Sequence, residues 1–268
     1  MRALRQTVPH RGQPAVGHLK PARWEASFQA AVDLLRRAPA GYAPPVFEPS
    51  RTAPLPDTDL TQRIEWLAQR IPAGSRILDL GCGRGEVLHF LGRRFPGDHL
   101  GLERDPEFLE RCRSIGVRAI PSDFNDPADP ALRFACSQGW DVVLIIDSMV
   151  YWRYPAVVLA ALQDRCKRIY VTVNNAAHLR SRVELLAGTI AERPNMRGDA
   201  FSTDWYANRW SVRGFQAWGE ALGYATRPLA RRSVSAKYLP LWVLPGVFAR
   251  SVLFELTPQG SSHADQGN

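Results

Sequence analysis

A doubly wound α/β fold is what this sequence predicts: a mostly parallel seven-stranded sheet carrying an N-terminal helical extension. Three observations point there. Beyond Ser75, short apolar runs alternate with helix-length segments; Pro106 and Pro155 stand where the first turn of a helix tolerates a missing N–H; and the first apolar run leads straight into a cluster of glycines. Strands separated by helices pair in parallel through right-handed crossovers.

The elements follow in order. Residues 1–21 show no periodicity. Trp24, Phe28, Ala31, Val32 and Leu35 then fall on one helical face. Residues 38–56 contain six prolines, which fix φ and remove donors, so an extended connector is expected. A second helix presents Leu60, Ile64, Leu67, Ala68 and Ile71, with Asp57 as its cap and Pro72 as its stop. Strands are expected at 76–80, 99–103, 117–120, 141–147 and 168–173, with helices opening near Gly85, Pro106, Asp129, Pro155 and Ala177. A polar and aromatic loop leads to Ser211, a helix carries Phe215, Trp218 and Leu222 and ends at Gly223, and two β-rich stretches at 226–234 and 239–256 form a terminal antiparallel pair. The expected organisation is an extension over 1–56, a main domain over 57–256, and a polar frayed tail over 257–268. The extension, with its apolar helix on a proline tether, is read either as a lid over the main domain's cleft or as a dimerisation arm or packed N-terminal addition.

Composition narrows the class. With 45% hydrophobic and 22% charged residues, the 268-residue chain can bury a core, which excludes a disordered or fibrous protein. No apolar run reaches the roughly 20 residues a membrane span requires; the longest, 238–249, is interrupted by Pro240 and Pro245, so no membrane role is expected. Cys82, Cys112, Cys136 and Cys166 are scattered without metal-ligand spacing and read as reduced, buried thiols of a cytoplasmic protein. The net charge of +8 comes almost wholly from arginine, with only three lysines, and it is spread along the chain. A nucleic-acid protein is expected to gather such charge on one face, so that partner is disfavoured.

The chemistry gathers at Asp79-Leu80-Gly81-Cys82-Gly83-Arg84-Gly85, where a buried strand enters a glycine turn and then a helix. Glycines let a ligand approach the backbone closely, and open α/β sheets bind ligands at this end of the strands. The spacing is GxGxG, with Glu86 where the dinucleotide fingerprint has its last glycine, and no GK[ST] follows. Glu103 closes the second strand, where an acid can accept both hydroxyls of a ribose. Asp123-Phe124 follows the third, offering an acceptor for an adenine amino group and a ring to pack on it.

These three markers in order resemble the class I S-adenosylmethionine-dependent methyltransferases. The resemblance implies S-adenosyl-L-methionine as cofactor, with Asp79, Gly81, Cys82, Gly83 and Gly85 at its amino-acid end. Glu103 and Arg104 would stand at the ribose, Asp123 and Phe124 at the adenine, and Asp147 beside them on the fourth strand's loop. A closer resemblance, over about 75–256, is to the MetW-type methyltransferase-like proteins of methionine biosynthesis. It is carried by the glycine segment, by Gly101-Leu102-Glu103-Arg104-Asp105, and by Asn175, His178, Arg180 and Arg182 in the segment after strand five. That segment departs from the family at Ala176, Ala177 and Leu179.

Methyl transfer needs alignment of the nucleophile more than it needs a base. Asp147, Ser148, Tyr151, Trp152, Asn174, Asn175 and His178 are expected to face the methyl group. His178 is the candidate base, with a helix-capping role as its competing reading, and Tyr151 is the candidate wall for the acceptor together with Trp152. A small-molecule acceptor fits best. The alternatives are a non-catalytic protein partner of a methionine-biosynthesis acyltransferase, as the MetW resemblance implies, and a nucleic-acid methyltransferase. The last lacks the proline-containing segment after strand four that grips a flipped base.

Overall fold

The computed structural model describes residues 21–44, 64–186, 210–229 and 251–260. Seven strands form one sheet in the order β3-β2-β1-β4-β5-β7-β6. Strands β1 (Ile77–Leu80), β2 (His99–Glu103), β3 (Ala119–Pro121), β4 (Trp140–Ile145) and β5 (Cys166–Asn174) run parallel. β6 (Tyr224–Pro228) and β7 (Ser251–Pro258) close the sheet, with β7 antiparallel to both neighbours.

Burial explains the sequence patterns. All four residues of β1 are buried, as a central parallel strand covered on both faces requires, whereas β7 alternates buried and half-buried positions. Helix α4 (Pro106–Ser114) starts on an Asp105 carboxylate that accepts from the Glu107 amide, and α5 (Pro130–Ser137) starts on Asp129, which accepts from Leu132. Both carry proline in the first turn.

The sheet separates two apolar cores. One holds residues 64–68 (helix α2) with α3 (Glu86–Arg94) and α4, through Leu67, Leu88, Leu91 and Leu109. The other holds α5, α6 (Pro155–Leu162) and α8 (Val212–Ala221), through Leu132, Leu159 and Phe215. Buried polar tips find partners there: Trp140 Nε1 donates to the Ala135 carbonyl at 2.8 Å and Tyr224 Oη to that of Leu159 at 2.6 Å.

Helix α1 (Pro21–Arg36) lies where the reading of a packed N-terminal addition puts it. It packs against α5 and α6 as a further layer, with Val32 and Leu35 in that core. The Arg36 guanidinium donates to the Ala160 carbonyl at 2.8 Å and pairs with Asp164 at 3.0 Å, beyond the end of α6 that leads into β5 and therefore at the rim opposite the glycine turn.

Strand limits shift by one or two residues at β1, β3, β4 and β5, and two shifts fall at the antiparallel edge. Thr257 and Pro258, expected in the tail, pair with Ala225 and Tyr224 as the last residues of β7. Strand β6 begins at Tyr224, two residues before the expected start, directly after Gly223 ends the helix in a left-handed turn. Residues 45–63 with Asp57 and Leu60, the whole of 187–209, and residues 230–250 lie outside the described residues.

Candidate cofactor site

The strand order sets the carboxyl ends of β3, β2, β1 and β4 side by side, so Asp79, Glu103 and Asp123 come to one rim as the sequence implies. The glycine turn is built by backbone conformation. Gly81, Gly83 and Gly85 all have left-handed φ, at 80°, 55° and 80°. The Gly81 and Cys82 amides both donate to the Leu102 carbonyl, at 2.8 and 3.0 Å, which ties the turn to β2. A Cβ at Gly81 would collide with the Ser148 side chain, whereas one at Gly83 would meet nothing within 4 Å. The turn is therefore closed toward β4 and open at Gly83.

Beneath it lie two thiols. Cys82 and Cys112 stand 4.0 Å apart, and Cys112 donates to the Gly83 carbonyl at 3.3 Å. The contact with Cys112, followed by burial, pushes the Cys82 thiol well up. The Cys82 side chain packs beneath the turn, and its amide helps tie the turn to β2.

Asp79 is 1% exposed and its Oδ1 has no hydrogen-bond partner. Burial, with the Glu103 charge adding to it, pushes its carboxyl up to about 8. A buried carboxylate without a donor is costly, and a cationic ligand group would relieve it. Glu103 is held in place by backbone: one oxygen accepts from Gly83 N at 2.9 Å, the other from Arg104 N at 2.8 Å and Asp105 N at 2.9 Å. Each oxygen retains acceptor capacity, so a ribose diol remains chemically compatible. Arg104 is exposed beside it.

In the loop after β3, Asp123 accepts from the Asn125 amide at 2.9 Å and its own amide donates to Asp129 at 3.2 Å. Phe124 does not offer the free ring expected of it. Its side chain is buried and stacks on Trp152, with centroids 5.0 Å apart and planes at 22°. The expected aromatic wall is divided for the same reason: Trp152 belongs to the core and Tyr151 is 51% exposed.

After β4 and β5 the arrangement differs. Asp147 has φ 56°, and among the described residues it is the only non-glycine with positive φ. Ser148 Oγ donates to the Leu80 carbonyl at 2.6 Å, fastening this loop to β1. His178 Nδ1 accepts from the Ser181 amide at 3.2 Å, capping α7 (Leu179–Leu186). Its Nδ1 is thus engaged in the helix-capping role that was the competing reading of this residue. Asn175 is buried and its Oδ1 accepts from the Ala177 amide at 3.1 Å, so it shapes the turn.

Sequence reasoning missed Thr172 and Asn125. Thr172 Oγ1 accepts from the Asp147 amide at 2.6 Å and donates to its carboxylate at 2.7 Å. Asn125 Oδ1 accepts from the Arg153 amide at 2.6 Å, joining the loop after β3 to the one after β4. Threonine in a strand reads as an ordinary β-former, so only an asparagine one residue beyond Phe124 offered any signal.

Comparisons with known proteins agree with this architecture. The family model for methionine biosynthesis protein MetW matches residues 61–212. The ribosomal protein L11 methyltransferase of Cupriavidus pinatubonensis is 35% identical over 65 residues, 24% of this chain and 22% of its own length, so the match spans about a fifth of that relative. Magnesium protoporphyrin IX methyltransferase from Synechocystis PCC 6803, solved with bound S-adenosylhomocysteine, superposes with a TM-score of 0.50 at 11% identity, covering 75% of this chain and 82% of that one. An S-adenosylmethionine-dependent methyltransferase from Archaeoglobus fulgidus gives 0.51 at 14% identity over 74% and 92%. At such identities the likeness is one of fold. Among the described residues no helix is long and apolar enough to cross a membrane.

Proposed function

The chain belongs to the family of methionine biosynthesis protein MetW, and from that premise we propose that it binds S-adenosyl-L-methionine at the β1–β3 rim and passes its methyl group to a small-molecule acceptor. The observation that carries this reading is the orphaned, fully buried Asp79 Oδ1 beside Glu103 and beneath a turn that is open at Gly83. A ligand with one ammonium, one vicinal diol and a flat amino-bearing base meets the demands of these groups. Asp79 would hold the ammonium, Glu103 the ribose hydroxyls, Asp123 the adenine amino group, and the glycine turn the carboxylate. When bound, the cofactor supplies an activated methyl on a sulfonium.

The chain's own part is positioning. Asp79 answers a cation from a site where water is excluded, so the attraction is stronger than at a surface. Glu103, fixed by three amides, costs little reorganisation on binding. Ser148 holds the acceptor-side loop against the glycine turn, keeping the nucleophile's approach beside the methyl. Calorimetric titration with S-adenosylhomocysteine tests the reading, followed by an acceptor screen for its release. Binding that Glu103→Ala weakens supports it; no binding by the intact chain overturns it.

A second reading, a chain that works by docking on a protein partner, draws on α7. Leu179, Val183 and Leu186 are exposed at i, i+4 and i+7, Leu186 by 88%. Cofactor binding with no acceptor turned over, together with co-elution with a partner that Leu186→Glu abolishes, is the result expected of it.

A further inference from the structure

We propose that Asp147 faces the methyl acceptor and takes its proton, that Thr172 is the residue positioning it, and that the acceptor is an amine. The inference deepens the reading above and rests on it.

The first observation is the backbone. Asp147 occupies a left-handed conformation two residues beyond the end of β4. Glycine would adopt that turn without strain, so a side chain placed there needs a reason. Aspartate tolerates the conformation better than most residues, and φ alone would decide nothing.

The second observation is the Thr172 hydroxyl. It is buried within β5, and it serves Asp147 twice, accepting from the amide and donating to Oδ1. One hydroxyl therefore fixes both the turn and the direction of the carboxylate. A strand that only needed a β-former could carry valine here, as Val171 and Val173 on either side show.

The third is location. Asp147 precedes Ser148, whose side chain rests against Gly81 and bonds the Leu80 carbonyl. The carboxylate thus stands where β1, β4 and β5 meet, across the glycine turn from Glu103 and Asp123. With the adenosine half directed toward β2 and β3, this is the sulfonium end.

The chemistry follows from what a carboxylate can accept. A hydroxyl acceptor would require a much stronger base. An amine arrives as an ammonium, and Asp147 takes one of its protons and passes it to solvent, which frees the lone pair. Nitrogen then forms the new bond to the methyl carbon as the sulfur–carbon bond breaks, and that electron pair returns to sulfur. The methylated nitrogen keeps its remaining protons and leaves as a methylammonium, beside S-adenosylhomocysteine.

Sinefungin tests the geometry without turnover, because it carries an ammonium where the cofactor has its methyl. The intact chain is expected to bind sinefungin about tenfold more tightly than S-adenosylhomocysteine, the worth of one charge-assisted hydrogen bond. Asp147→Asn and Thr172→Val should bring the two ligands to near parity, while Thr172→Ser, which keeps the hydroxyl, should retain the preference. In an acceptor screen, primary amines should outpace matched alcohols. Equal affinities in the intact chain, a preference that survives Asp147→Asn or Thr172→Val, loss of it in Thr172→Ser, or alcohols as the better acceptors would overturn the proposal. The intact chain needs no variant to fold for the first of these. Failure to bind S-adenosylhomocysteine at all would instead strike the cofactor reading.

Discussion

The two halves of the cleft are held by different means. On the β1–β3 side, main-chain groups do the positioning: three left-handed glycines, two amides on the Leu102 carbonyl, and three amides on the Glu103 carboxylate. On the β4–β5 side, single side chains take over, with Thr172 fixing Asp147, Ser148 reaching Leu80 and His178 capping α7. Backbone-built geometry survives changes of side chain, and so suits a ligand that stays the same across a fold class. Geometry built from individual side chains can be rewritten one residue at a time, as a changing acceptor requires.

Several measurements would break or sharpen that contrast. The largest effect belongs to Asp79. Its carboxyl titrates near 3.8 when unperturbed and is raised to about 8 in the fold, so between those values the native state holds a proton that the unfolded chain has released. Stability should therefore fall as pH rises from about 4 to 8, by roughly 3–5 kcal/mol, and Asp79→Asn should flatten the curve while removing cofactor affinity. Denaturant unfolding at pH 5 and pH 8 reads this; a flat wild-type profile would contradict the buried charge. Next comes Leu35→Ala on the flank helix, expected to cost about 2–4 kcal/mol by the same unfolding assay. Its affinity for S-adenosylhomocysteine should stay unchanged, and a marked loss would restore a lid-like role to α1.

Glu103→Ala should weaken S-adenosylhomocysteine binding by about a hundredfold, since it removes the ribose acceptor and the charged partner of three amides. The smallest effect is on the other side. His178→Ala should lower thermal stability by about 1 kcal/mol through the lost cap, and His178→Asn should recover most of it. A large fall in turnover in His178→Asn with intact stability would return the histidine to catalysis.

The same contrast explains what the sequence made legible. Strand β2 was readable to the residue, because its limits are written in an apolar run ending on an acid. The glycine turn was readable because only glycine relaxes at such φ values. The antiparallel β6–β7 pair was readable as a pair, though its outer limits were not, since cross-strand pairing sets where a strand stops and a polar Thr257 gives no hint of it. Thr172 was invisible, because a polar β-branched residue in a strand carries no mark of what its hydroxyl touches. Phe124 and Trp152 were both legible as aromatic but not as mutual partners, being 28 positions apart and joined only by the sheet order. The flank position of α1 was hidden for the same reason: an apolar stripe states that something covers it, never what.

One consequence of the buried Asp79 reaches beyond affinity. On the proposed function, a carboxyl raised to about 8 would give up its proton when the ligand's ammonium arrives, so the cleft would work as an ion exchanger, admitting one charge and discharging another into the medium. The heat recorded on loading should then change with the buffer, being larger or smaller by the enthalpy of protonating phosphate or Tris, and the slope against that enthalpy counts the protons expelled.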